Sequence, residues 1–130
     1  MRIYIAARYD RRFEMLGVAS ALMRTGHEVT SRWIEGGRGG DPELVTAIED
    51  IADLGRADCL VTFTERPERN VAWAARGGRH VEFGIALATG KRLCIVGLRE
   101  NVFHHMPRVE IYATVPDLIE GLTWPPRMGS

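Results

Sequence analysis

Short apolar runs alternate with longer amphipathic stretches along the whole chain, and this alternation limits the fold more than any other feature. Residues 3–7, 27–34, 59–63, 92–96 and 109–113 have the length and apolar character of strands. The run 59–63 is apolar almost without interruption, as a strand buried on both faces must be. Between the runs lie helical segments. Residues 12–25 carry Phe13, Leu16, Ser20 and Met23 along one side and meet Gly26 as a stop. A second helix opens with Asp41 as cap and Pro42 at its first position, and runs through Leu44, Ile48, Ile51 and Leu54 to about residue 56. A third contains Glu82 and ends at Gly90, and the last spans 115–122. Residues 35–40 and 64–79 read as loops.

Strand–helix alternation at this length predicts one α/β domain over residues 1–124, with a disordered tail at 125–130. The expected architecture is doubly wound and flavodoxin-like: five parallel strands with helices on both faces. In a 2-1-3-4-5 order, ligands bind where the order reverses, between strands one and three. The loops at that point are 6–12 and 64–79, and the second leads directly to Glu82.

Composition removes several classes. The chain has 130 residues and balanced charge, 17 basic against 17 acidic side chains, which argues against a nucleic-acid binder. Arg8, Arg11 and Arg12 form one local basic group, and Arg76 and Arg79 another. Cys59 and Cys94 lie in strand-like runs and read as small core residues. His27, His80, His104 and His105 lack ligand spacing, so no metal site is expected. The first strand is too short for a secretory signal, and no stretch is long enough to span a membrane. A cytoplasmic protein without membrane contact is the expectation. The turn after strand one contains no glycine, so a dinucleotide fingerprint is missing, and no cofactor is expected.

The chemistry concentrates in Gly77-Gly78-Arg79-His80-Val81-Glu82-Phe83-Gly84. A glycine-bearing basic loop ahead of a helix offers N–H groups and a guanidinium to an anion. Glu82 near the helix start is expected to stay ionised, as a carboxylate nucleophile must. Taken alone, a glutamate there simply complements the helix dipole. Gly84 inside the helix adds weight, because such a glycine marks close approach of another backbone or a ligand. Asp50 and Asp53 share a neighbourhood on the second helix. Either alone is an ordinary solvated charge, but Asp50 at a cleft margin would give Glu82 the second carboxylate that glycosyl chemistry uses.

Together, Asp50-Ile51-Ala52-Asp53-Leu54-Gly55-Arg56-Ala57-Asp58, the E-x-G-x-A pattern at Glu82, and Gly90-Lys91 resemble the nucleoside 2-deoxyribosyltransferase family. That family includes 2′-deoxynucleoside 5′-phosphate N-hydrolases. The resemblance implies that Glu82 is the nucleophile and Asp50 the acid or orienting carboxylate. It places Tyr9 near sugar and base, and Asn101 where some transferases reach a neighbouring subunit's site. Gly77, Gly78 and Arg79 stand where the transferases often carry a further Asp, and suit a 5′-phosphate. The implied substrate is a nucleoside or nucleoside monophosphate, and the implied assembly a homo-oligomer. Cleavage would pass the sugar to water or to another base. A non-catalytic nucleotide-binding or signalling module of the same fold is the alternative.

Overall fold

The computed structural model describes residues 1–36, 43–67 and 77–125. The expected cap at Asp41 and Pro42, most of the loops at 35–40 and 64–79, and residues 126–130 of the tail lie outside the described residues. Five strands form one parallel sheet: β1 (Arg2–Ala6), β2 (Glu28–Val29), β3 (Cys59–Phe63), β4 (Arg92–Val96) and β5 (Val109–Tyr112). Their order is β2-β1-β3-β4-β5, the order of the expected flavodoxin-like architecture. Four helices connect or follow them: α1 (Arg12–Arg24), α2 (Glu43–Gly55), α3 (Gly78–Ala88) and α4 (Val115–Leu122).

Helices cover both faces. Tyr4, Leu60 and Leu93 form one rung across β1, β3 and β4, and Ile3, Cys59 and Arg92 the next. Successive rungs point to opposite faces. The hydroxyl of Tyr4 meets Glu82 of α3, whereas Arg92 donates to the Gly121 carbonyl of α4 at 3.0 Å. All five residues of β3 and of β4 are buried, which explains their predominantly apolar character. Arg92 is accommodated by a paired buried carboxylate, Glu110, at 2.8 Å on two nitrogens.

Three expectations need correction. Strand two is two residues long, paired Arg2 to Glu28 and Ile3 to Val29, rather than spanning 27–34. Beyond it side chains replace the ladder: Ser31 Oγ accepts from the Ile5 N–H at 3.1 Å, and Trp33 Nε1 donates to the Ile5 carbonyl at 2.8 Å. The backbone is thereby free to turn into a 3-10 helix at Arg32–Glu35. In α1 the buried face is Met15, Val18, Ala19 and Leu22, while Phe13 is 74 % exposed. Apolar residues lie on both sides of that helix, so periodicity alone selects no face. In α2 only Asp53 and Leu54 are buried; Leu44, Ile48 and Ile51 are 69, 58 and 55 % exposed.

Gly90 has φ +75° and closes α3, with the Lys91 N–H returning to the Ala86 carbonyl at 3.0 Å. Among the described residues no helix is long and apolar enough to cross a membrane.

Candidate active site

Glu82 does not sit in the first turn of α3. The helix begins at Gly78, so Glu82 is its fifth residue and lies beyond the reach of the terminal dipole. Its environment is set by the sheet below. Tyr4, fully buried in β1, donates its hydroxyl to Glu82 Oε2 in a short hydrogen bond. Burial raises the Glu82 pKa, the Tyr4 bond lowers it, and the charge of Asp50 raises it again; the outcome is about 7. The expectation of a carboxylate held ionised by a helix start is therefore corrected. Desolvation and a like charge dominate here, and Glu82 is poised between its two forms near neutral pH. The Tyr4 phenol is raised well above its ordinary value, by burial first and by Glu82 next, so it remains a donor.

Asp50 is half-buried on α2, and its charge acts on both Tyr4 and Glu82. The structure thus brings Asp50, Glu82 and Tyr4 together, where α3 packs over β1 and meets α2. Asp53 has a different role. It is fully buried, accepting from the Arg32 backbone at 3.0 Å, the Arg32 guanidinium at 2.9 Å and Arg56 at 2.5 Å. Burial alone would raise its pKa, but these bonds outweigh burial and hold it below the ordinary value. Asp53 ties α2 to the turn after β2.

Tyr9 opens the 3-10 turn at the carboxyl end of β1 and is 59 % exposed. Its ring lies 6.3 Å from that of Trp33, with the Arg12 guanidinium 5.8 Å away. Gly77, at φ +82°, leads into Gly78 and the start of α3, where no side chain caps the helix. Arg79 is not a loop residue. It belongs to α3, is buried, and engages Glu100 through both terminal nitrogens, one of them at 2.8 Å. Asn101 is likewise engaged within the chain: its Oδ1 accepts from the Phe103 N–H at 3.0 Å and its amide lies 3.3 Å from His80 Nδ1.

Sequence reasoning missed Tyr4, although a signal was present. A phenol in an otherwise apolar strand needs a partner for its hydroxyl, and that partner is a candidate site residue. It also missed Glu65 and Glu100. Glu65, after β3, holds Arg11 at 2.6 Å and Arg8 at 3.3 Å. The residues of these pairs are far apart in sequence, and no local pattern joins them.

No family model matches this chain, and no curated protein matches it in sequence. Among solved structures it is similar to the CMP N-glycosidase BcmB of Clostridium botulinum. The TM-score is 0.56 at 20 % identity, over 95 % of this chain and 100 % of that one. The two proteins share a fold. It is the α/β fold expected from the alternation of strands and helices.

Proposed function

We propose that this chain cleaves the N-glycosidic bond of a (deoxy)nucleoside or its 5′-monophosphate through a glycosyl-enzyme on Glu82. The observation that carries the reading is the partly buried Glu82, fixed by the Tyr4 hydroxyl and within the electrostatic reach of Asp50. Similarity of fold to the CMP N-glycosidase of Clostridium botulinum supports it.

In this mechanism one Glu82 oxygen attacks C1′ as the C1′–N bond breaks through an oxocarbenium-like transition state. Asp50 protonates the departing base or orients the sugar. Tyr4 holds the other carboxylate oxygen and fixes the line of attack. Water then adds to C1′, the ester bond breaks, and Glu82 is regenerated; a second base in place of water gives transfer. Hydrolysis of a monophosphate is preferred, with the phosphate at the Gly77–Gly78 start of α3 and the base beside Tyr9.

The reading includes a homodimer. Leu44, Ile48 and Ile51 of α2 form an exposed apolar ridge, and Val81 and Gly84 are exposed on neighbouring α3. A Cβ at Gly84 would meet nothing within 4 Å, so no part of the described chain makes the close approach its presence suggests. An exposed apolar face spread over two neighbouring helices can pair with its own copy across a twofold axis, and a second copy is the proposed occupant.

The test is incubation with nucleosides and their monophosphates, with and without added free base, and product analysis by chromatography. Free base and sugar phosphate are expected without an added acceptor. Glu82→Gln should keep the fold and lose several powers of ten in turnover, since an amide forms no glycosyl ester. Turnover of that variant at the original rate would overturn the mechanism. Binding of a nucleotide by the original protein without cleavage would favour the non-catalytic module.

A further inference from the structure

Arg79 and Glu100 form a buried, bidentate ion pair at the carboxyl edge of the sheet. Three connections give it a place in the site. Arg79 is one helical turn before Glu82 on α3. Glu100 follows β4, and its Oε2 also accepts from the Glu65 N–H at 3.3 Å, so the loops after β3 and β4 are joined to the start of α3 through one carboxylate. The Glu100 N–H in turn donates to His104 Nδ1 at 3.0 Å.

His104 anchors this arrangement. It is 1 % exposed, and burial, the largest influence on it, lowers its pKa to about 4. A neutral ring accepting at Nδ1 carries its hydrogen on Nε2, and Nε2 has no hydrogen-bond partner among the described residues. The ring packs on Phe83, the residue after Glu82, with centroids 4.7 Å apart. Glu82 is thus held from both sides: three residues before it by Arg79 on Glu100, and one after it by Phe83 on His104.

We infer that the Arg79–Glu100 pair, seated on His104, is a positioning device for Glu82 and that Arg79 is not the substrate's phosphate ligand. The inference rests on the N-glycosidase reading for its kinetic arm alone. Bidentate guanidinium–carboxylate contacts fix direction as well as distance, which a lysine cannot reproduce. A small displacement of a nucleophile costs on the order of a hundredfold in rate.

The experiment compares Arg79→Lys, Glu100→Gln and the exchanged pair Arg79→Glu/Glu100→Arg with the original protein. Two readouts are used: kcat and KM on a nucleoside and its monophosphate, and the titration of the Glu82 carboxyl carbon by NMR. Each single variant is expected to lose about a hundredfold in kcat, equally on both substrates and with KM unchanged. The Glu82 midpoint should move away from its original value, and the exchanged pair should recover part of both, because an arginine at position 100 restores the ion pair but cannot accept from the Glu65 N–H. Losses confined to KM for the monophosphate, without recovery in the exchanged pair, would overturn the inference and make Arg79 a phosphate ligand. An unmoved Glu82 midpoint in both single variants would also overturn it. If the original protein cleaves no nucleoside or monophosphate, the functional reading fails, while the titration still decides whether the pair positions Glu82.

Discussion

At the scale of single residues, the pair Tyr4 and Glu82 governs the behaviour of the site. In the proposed mechanism Glu82 attacks as the carboxylate, and its pKa is raised to about 7. The acid limb of kcat/KM is therefore expected to rise with pH through that value. The Tyr4 hydrogen bond is what lowers the pKa against burial and Asp50, so Tyr4→Phe should move the limb to higher pH. A pH–rate profile of both proteins checks the sign. The same shift has a consequence for stability. Between the ordinary value of 4.5 and about 7 the folded protein binds more protons than the unfolded chain, so Glu82 favours unfolding increasingly as pH rises. Above that window the cost is about 3 kcal/mol at most. Glu82→Gln should gain stability relative to the original protein from pH 5 to pH 8, as measured by urea unfolding across pH. Sequence alone made Glu82 and Asp50 visible because spacing and motif are local. It missed the Glu82 environment, because burial and the Tyr4 partner come from 78 residues away.

At the scale of elements, apolar periodicity located the helices better than it oriented them. Both sides of α1 carry apolar residues, and the face chosen is the one with Met15, Val18 and Leu22. Leu22→Ala should cost about 3 kcal/mol. Phe13→Ala should cost only a few tenths, as exposed positions do. Equal shifts in their chemical denaturation midpoints would contradict this assignment. Strand two was overestimated for a related reason. Thr30, Trp33 and Ile34 suit a strand by propensity, but tertiary hydrogen bonds to Ile5 use Ser31 and Trp33 by their side chains instead.

At the scale of the molecule, the parallel sheet with helices on both faces followed from the alternation, since parallel strands need helical crossovers, while the order 2-1-3-4-5 is one of two common doubly wound orders that alternation allows. The apolar ridge of α2 did not follow. A helix with a well-formed apolar stripe reads as core-facing, and only the fold reveals that Leu44, Ile48 and Ile51 face outward. With a second copy as the proposed occupant, Ile48→Glu should convert a dimer into a folded monomer. Light scattering with circular dichroism reports both properties, and an unchanged mass would remove this face from the interface.

The short β2 has a consequence for how this protein meets others of its kind. A sheet edge with open N–H and C=O groups recruits strands from neighbouring chains, the first step toward fibrous aggregates. Here the edge strand offers two residues, and above it the polar groups of Ile5 are already taken by a hydroxyl and an indole. An incoming strand finds no ladder to extend there. Ser31 and Trp33 end the sheet on that side, and their removal would expose a seam for runaway assembly.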